Sequence, residues 1–199
     1  KTAYEIVSRD WSSDVCSSDL PLLSILICTI PSRAGFLHRL QGRLLPQCGS
    51  NVEVLVDGDG THIPIGTKRN NMLGRAHGEY VAFIDDDDLV SSRYVELVTG
   101  ALQQKPDCTE LRGIITSDGK NPEPFHHTIT CQEWCKRNGV YLRYPNHLNA
   151  IRRDLALAAG FTEKWYGEDK DFSDRVRPML KTQGAIPETI YHYLYRTKK

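Results

Sequence analysis

Four consecutive aspartates, Asp85 to Asp88, directly follow the apolar run Tyr80 to Ile84. Carboxylates this close in the chain repel one another, and each raises the cost of ionising the next. A divalent cation with hard oxygen ligands relieves that repulsion, and open α/β sheets bind their ligands at the carboxyl ends of strands. The pattern therefore predicts a short strand that ends in metal-assisted chemistry on a phosphorylated substrate. A solvated acidic turn is the alternative.

The first twenty residues predict no part of the fold. Residues 1–6 and 11–20 translate the nucleotide strings of a short-read sequencing adapter, in one frame and in adapter order, with residues 7–9 as a sample index. We therefore expect residues 1–20 to be a disordered, non-native leader. A natural leader rich in serine and aspartate is the alternative.

Composition narrows the class of protein. The 25 basic and 25 acidic residues balance, which gives no electrostatic argument for nucleic acid or a membrane surface as the main partner. No apolar run approaches the roughly 18 residues of a membrane-spanning helix. Cys16 lies in the leader, and the odd number of cysteines that remains favours a reducing compartment. We expect a cytoplasmic protein without a transmembrane segment.

Apolar runs of strand length alternate with segments of helical spacing in the first half of the chain. The predicted strands are residues 22–28, 52–56 and 80–84, and the predicted helices are residues 36–44, 67–77 and a segment capped by Ser91 or Ser92 that stops before Pro106. This alternation predicts parallel strands joined by right-handed crossovers.

The second half has a less regular pattern. It predicts strands at residues 111–116 and 190–195 and helices at residues 131–138, 152–159 and 169–180, the last interrupted at Pro178. No repeat or linker divides the chain. We therefore expect one α/β domain over residues 21–199, with a mostly parallel central sheet flanked by helices.

Five short motifs resemble, in order and spacing, those of the family 2 glycosyltransferases of the GT-A fold, over nearly all of residues 21–196. They are CTIPSR at 28–33, VDGDG at 56–60, KRN at 68–70 with GEY at 78–80, DDD at 85–87 and GED at 167–169. Two departures from the family pattern are Ile30-Pro31 and Gly58-Asp59. The resemblance implies a GT-A domain with a nucleotide-binding half, residues 21–104, and an acceptor half, residues 105–199.

The resemblance also implies an activity and its donor site. The expected reaction moves a sugar from a nucleotide-diphosphate donor, with a UDP-sugar as first candidate, to an acceptor hydroxyl on a glycan, lipid-linked or protein acceptor. Mn²⁺ or Mg²⁺ would assist the departing diphosphate as a Lewis acid. The residues that would bind the nucleotide sugar are Thr29, Arg33, Asp57, Arg69, Asp85 and Asp86. The residues that would bind the metal are Asp85, Asp87 and His192, with Asp88 in support.

Some of these residues have ordinary alternatives. Arg69 is either a phosphate or pocket-ordering group or a structural ion pair. His192 is either a metal-site residue or a half-buried strand histidine.

Asp169 is the candidate general base. It lies at the start of a predicted helix, where the helix dipole favours a carboxylate, and it must reach the acceptor hydroxyl. Inversion at the anomeric carbon needs only one such base, and we expect inversion. The acceptor-side candidates are His147, Trp165 and Glu168. Trp165 and Tyr166 either stack on a sugar or pack in the core.

Other functions fit the sequence less well. His126, His127, Cys131 and Cys135 suggest zinc, but their spacing matches no common finger. Residues 60–68 depart from the phosphate-loop pattern, and neither Asp57 nor Asp85 starts an EF-hand loop. A nucleotidyltransferase would carry a Gly-rich loop that is absent here. A catalytically idle sugar-nucleotide-binding module stays open as an alternative.

Overall fold

The structure is a computed structural model that describes residues 20–58 and 62–196. The prediction of a non-native leader therefore falls outside the described residues, apart from Leu20. Its first half contains β1 (Leu23–Cys28), α1 (Ala34–Leu44), β2 (Val52–Asp57), α2 (Ile65–Arg75), β3 (Tyr80–Phe83), β4 (Leu89–Val90) and α3 (Tyr94–Leu102). Every strand and helix predicted for this half is present, with shifts of a few residues at the ends.

The second half contains more strands than the sequence predicts. Its elements are β5 (Cys108–Thr109), β6 (Leu111–Ser117), β7 (Lys120–His127), β8 (Cys135–Arg137), β9 (Val140–Arg143), β10 (Ile151–Arg152), α4 (Arg153–Ala159), α5 (Glu168–Val176), β11 (Gln183–Gly184) and β12 (Tyr191–Tyr195). A 3₁₀ turn over Arg177–Met179 follows α5. This turn confirms the predicted break at Pro178.

The described strands form two six-stranded sheets. The first has the order β11-β5-β10-β3-β1-β2, in which β1 is parallel to β2 and β3 while β10 is antiparallel to β3 and β5. The second has the order β4-β12-β6-β7-β9-β8, in which β12 is parallel to β6 and antiparallel to β4. Since both sheets contain strands from residues 21–104 and from 105–199, the division into a nucleotide half and an acceptor half remains a functional prediction.

Helices cover both faces of the first sheet. Ile25 and Ile27 of β1 pack with buried residues of α1 and α3, whereas Leu26 packs on the other face with buried residues of α2, α4 and α5. Alternate side chains of a strand point to opposite faces, so a largely apolar run is expected here. The buried Ser24 is the polar exception in β1. Among the described residues, no helix has the length and apolar character needed to cross a bilayer.

The aspartate run connects the two sheets. It begins just after β3, in the middle of the first sheet, and ends at β4, at the edge of the second. The carboxylates therefore lie where the carboxyl end of a buried strand passes from one sheet to the other. This position matches the predicted strand end.

The predicted helix at residues 131–138 is wrong. Residues 135–143 instead form the β8–β9 hairpin, and Asn138 and Gly139 at its turn have φ values of 51° and 78°. An Asn-Gly pair with positive φ at both positions is the preferred two-residue hairpin turn. The Asn-Gly pair is therefore a hairpin signal that the sequence itself contains.

Strand β7 was not predicted because Pro122 and Pro124 interrupt its sequence, and proline cannot donate to a strand ladder. It nevertheless pairs with β6 on one side and β9 on the other.

Gly113 in β6 allows close packing of the second sheet. A Cβ at this position would lie 2.3 Å from Cζ of Phe125 and 2.5 Å from the carbonyl oxygen of Tyr191. We expect Gly113→Ala to lower the free energy of unfolding by about 1–3 kcal/mol, because the backbone must move to admit the methyl group. Chemical denaturation measures the change.

Gly100→Ala is the matched control for this prediction. Gly100 lies within α3, and a Cβ there would meet no atom within 4 Å. Alanine should therefore stabilise the protein by about 0.5–1 kcal/mol through its helix propensity. A neutral Gly113→Ala variant would show that β6 and β12 are less closely packed than described.

Candidate functional site

A cavity of about 380 Å³ opens at the carboxyl end of β1. Its wall combines β1, the start of α2, the aspartate run and the loop before α5. The lining residues are Cys28, Thr29, Ile30, Arg33, Ile63, Ile65, Lys68, Arg69, Asp85, Asp86, Asp87 and Trp165. Three cationic and three anionic side chains therefore face one space. Seven of the residues proposed for the site line it together: Thr29, Arg33, Arg69, Asp85, Asp86, Asp87 and Trp165.

Asp86 is held from two sides although only 3% of it is exposed. The hydroxyl of Thr29 donates to Oδ2 of Asp86 at 2.6 Å, and Nε of Arg33 donates to both carboxylate oxygens at 2.9 and 3.0 Å. Nη2 of Arg33 also lies 2.8 Å from Oδ1 of Asp87. Burial raises the pKa of Asp86, although Thr29 and Arg33 oppose the shift. Arg33 thus forms ion pairs with two neighbouring carboxylates at once.

Arg69 connects the aspartate run to α5. Its Nη2 lies 2.9 Å from Oδ1 of Asp85, and its Nη1 lies 2.5 Å from Oε1 of Glu168. The guanidinium carbon lies over the rings of Phe83 and Phe161, at 5.7 and 5.5 Å from their centroids. Arg69 is therefore a buried residue whose two ion pairs order the pocket.

The charge on Asp85 depends on Arg69. Burial would raise the pKa of this carboxyl, but Arg69, and then His147, outweigh burial and hold the pKa below its usual range. Nε2 of His147 lies 3.6 Å from Oδ2 of Asp85, beyond direct hydrogen-bonding distance. The predicted acceptor-side residue His147 is thus buried beside the donor-side aspartate.

Asp88 connects the run to the second sheet. The hydroxyl of Tyr191 donates to its Oδ2 at 2.8 Å, and the backbone N–H of Leu194 donates to its Oδ1 at 2.8 Å. Burial, and then the charge of Asp85, raise the pKa of Asp88 well above its usual range. With 1% of its surface exposed, Asp88 is buried and joins the run to β12, and its support of a metal site stays a prediction.

Lys68 is a site residue to which the sequence analysis assigned no role. It is 3% exposed, its Nζ donates to the carbonyl oxygen of Thr29 at 2.7 Å, and it lies 3.6 Å from Oδ1 of Asp57. The KRN motif contains Lys68, but sequence spacing does not show that this side chain crosses from α2 to the ends of β1 and β2.

Asp169 lies in the first turn of α5, directly after Glu168. It is half-buried, and its negative charge acts on Arg69. Burial opposes the charge of Arg69, but Asp85, with Glu168 and Asp169, raises the pKa of its guanidinium. Because Arg69 pairs with both Asp85 and Glu168, the predicted base Asp169, directly after Glu168, lies on the same side of the molecule as the aspartate run.

Trp165 and Tyr166 are surface residues. Their exposed fractions are 53% and 79%, so the prediction that they might pack in the core is wrong. Trp165 lines the cavity mouth.

His192 is exposed on β12 and pairs with Leu89 of β4. It lies near the end of the aspartate run but does not line the cavity. The alternative of a half-buried histidine is wrong, and the metal-ligand role remains a prediction.

The carboxylates that face the cavity meet some of the requirements of a site for a hard divalent cation. Within residues 20–58 and 62–196, no group of three or more His, Cys, Asp or Glu side chains is arranged to hold a metal ion. Mg²⁺ commonly takes one or two protein carboxylates and completes its shell with water and phosphate oxygens. Asp85 and Asp87 fit that smaller requirement, since both face the cavity.

The alternative zinc residues have other partners. Nε2 of His126 lies 2.6 Å from Oε2 of Glu110, and Nδ1 of His127 lies 3.1 Å from Oδ1 of Asn149. Burial lowers the pKa of His127 to about 3. All cysteines in the described part of the chain are free thiols.

Solved structures of S. aureus TarS share this architecture. TarS 1–349 in complex with UDP-GlcNAc matches 89% of the chain and 59% of its own length, with a TM-score of 0.61 and 14% identity. The complex of TarS 1–349 with UDP gives a TM-score of 0.61, 15% identity and coverage of 86% of the chain and 60% of its own length. A longer TarS structure gives 0.60 and 13%, with 86% of the chain and 36% of that structure covered. The chain thus spans well under two thirds of these proteins.

Sequence comparisons add little. No family model matches the chain. The small ribosomal subunit protein bS16 of Mycoplasma capricolum is 26% identical over 68 residues, which are 34% of this chain and 63% of bS16. That match is too short and too weak to show a family. The structural likeness confirms the predicted mixed α/β fold of the GT-A type.

Replacement of Arg69 tests the ion pairs that order the site. Arg69→Gln leaves Asp85 and Glu168 without their cation, so we expect a loss of about 3 kcal/mol in the free energy of unfolding at pH 7. Because Arg69 holds the pKa of Asp85 low, its contribution is complete above the unfolded pKa and is lost as the pH falls. The deficit should therefore shrink below about pH 4. Denaturant titrations at both pH values measure it.

Arg75→Gln is the control on the same helix. Arg75 is half-exposed and lies 3.9 Å from Oδ2 of Asp57, so its removal should cost at most about 1 kcal/mol. Equal losses in the two variants at pH 7 would contradict the central role of Arg69.

Proposed function

We propose that the chain is a glycosyltransferase that moves a sugar from a nucleotide-diphosphate donor to an acceptor hydroxyl. The supporting observation is the cavity in which Arg33, Lys68 and Arg69 meet the aspartate run at the carboxyl ends of the strands. Ligands of open α/β sheets bind at such ends, and the volume is within the usual range for small-molecule sites. The UDP-GlcNAc and UDP bound in the TarS structures make a UDP-sugar the first donor to test.

The base and ribose of the donor would bind between β1, β2 and α2. Lys68 positions the main chain of Thr29 and lies beside Asp57. The hydroxyl of Thr29 is already bonded to Asp86, so Thr29 acts as a positioning residue. Asp57 is then the residue at this end that would contact the base.

The diphosphate would bind near Arg33 and the aspartates. Asp85 and Asp87 are the residues that would hold Mn²⁺ or Mg²⁺. When bound, the ion supplies Lewis-acid stabilisation of the departing diphosphate. Arg33 contributes a fixed positive charge at the same place, where it compensates Asp86 and Asp87.

Asp169 would take the proton from the acceptor hydroxyl. Of the two adjacent carboxylates, Glu168 is buried and bonded to Arg69. Asp169 is half-buried, and within the described residues it makes no ion pair. A general base must be able to reach the acceptor hydroxyl, which favours the more accessible, unpaired Asp169 over Glu168. One base opposite the leaving group corresponds to transfer with inversion.

Replacement of Asp169 tests this assignment. Asp169→Asn removes the proton acceptor and should lower the transfer rate by about 10²- to 10⁴-fold, while UDP binding measured by calorimetry stays unchanged. Turnover is followed as UDP release from a panel of UDP-sugars, with the anomeric configuration of the product read by NMR. Asp154→Asn, in the first turn of α4, is the matched control and should retain full activity.

An active Asp169→Asn variant would exclude this base. Tight UDP-sugar binding without any turnover by the wild-type protein would instead favour an idle binding module.

Metal dependence is tested separately. We expect chelation to abolish transfer and Mn²⁺ or Mg²⁺ to restore it, because the leaving diphosphate then regains its Lewis acid. Asp87→Asn should weaken Mn²⁺ uptake in the presence of UDP, measured by calorimetry, whereas Glu79→Gln, at an exposed carboxylate, should not. Full activity in chelator would refute the role of the metal.

A further inference from the structure

A cluster of cations and aromatic rings lies between β8, the end of β9 and α5. The guanidinium carbon of Arg143 lies 4.6 Å from the ring centroid of Trp134, and that of Arg177 lies 4.7 Å from the ring centroid of Tyr144. Nζ of Lys170 lies 5.3 Å from both centroids. The two rings are themselves 5.8 Å apart. We call Trp134, Arg143, Tyr144, Lys170 and Arg177 the cationic aromatic cluster.

The cluster carries an excess of positive charge. Lys170 is paired with Asp174 at 2.6 Å, and Nη2 of Arg177 donates to the neutral side chain of Gln132. In the part of the chain that the structure describes, neither Arg143 nor Arg177 forms an ion pair. Other arginines of the surface do: Arg93 is paired with two glutamates and Arg152 with two aspartates. Arg143 and Arg177 therefore keep their positive charges without a carboxylate partner beside the two rings.

The cluster adjoins the proposed base along α5. Lys170 directly follows Asp169 in that helix. Arg143 lines a small hollow with Tyr193 of β12. Burial, and then the charges of Asp85 and Asp88, raise the pKa of Tyr193 to about 12, while Arg143 opposes the shift. Arg143 and the aspartate run are therefore both within electrostatic reach of Tyr193.

We propose that the cationic aromatic cluster is a subsite for an acidic group of the acceptor, a phosphate or carboxylate carried on a saccharide. Guanidinium groups pair with such oxyanions through two parallel hydrogen bonds, and the rings of Trp134 and Tyr144 hold Arg143 and Arg177 in place for this role. The subsite rests on the proposed glycosyltransferase function, since it assigns the acceptor class of that reaction. It forms no covalent bond with the acceptor.

The test compares the binding affinities of small saccharides that differ in one group. Glucose 6-phosphate, glucuronate and glucose are titrated into the full chain with saturating UDP, so that the donor cavity is filled. Binding is followed at the indole N–H resonance of Trp134, identified with Trp134→Phe. We expect one or both acidic sugars to bind roughly tenfold or more tightly than glucose, as charged hydrogen bonds imply. Whichever acidic sugar binds identifies the acidic group.

Arg143→Gln should remove the preference for the acidic sugar, and Arg143→Lys should retain part of it. Neither change should alter UDP affinity, and thermal denaturation confirms that each variant is folded. Arg93→Gln, at an ion-paired surface arginine, is the control and should keep the full preference.

Three results would overturn the subsite: equal binding of the three sugars by the wild type, a preference that survives Arg143→Gln, or tighter binding of a single-stranded oligonucleotide at Trp134. Failure of the proposed function has a different signature. In that case UDP does not bind, or no UDP-sugar is turned over, whether or not acidic sugars perturb Trp134.

Discussion

The compensation of four adjacent carboxylates is the constraint on which the site depends. Three residues from different parts of the chain serve as their partners: Arg33 for Asp86 and Asp87, Arg69 for Asp85, and Tyr191 for Asp88. The first sheet, the second sheet and two helices must therefore meet at the run before it can be buried.

This convergence explains why the aspartates lie between the sheets. Asp88 accepts hydrogen bonds from β12 and its side chain is inaccessible, so it serves the structure. Asp85, Asp86 and Asp87 face the cavity. The same run thus supplies a buried support, Asp88, and three carboxylates that line the cavity.

The sequence predicts local features well and long-range contacts less well. Largely apolar runs identify β1 to β3, because strands covered on both faces bury most of their side chains. The sequence does not show that Ser24 of β1 and Glu53 of β2 are buried as a hydrogen-bonded pair. The motifs assigned Arg33, Arg69 and the aspartates to one site, and these residues line one cavity. The second sheet was largely missed, since its strands carry prolines or polar residues and its hairpin signal, Asn138-Gly139, competed with a helical spacing. The bond from Thr29 to Asp86 depends on tertiary packing that no local pattern encodes.

Arg69 gives a physical reason for the order of Glu168 and Asp169. The first carboxylate of α5 is buried and neutralised by Arg69, which also holds Asp85. The second is half-buried at the helix start and makes no ion pair among the described residues. Arg69 therefore fixes the start of α5 relative to the cavity, so a shift of Glu168 would break a buried ion pair. Under the proposed function, such a connection would keep the proposed proton acceptor at a constant position beside the proposed diphosphate site, which acid–base assistance at an acceptor hydroxyl requires.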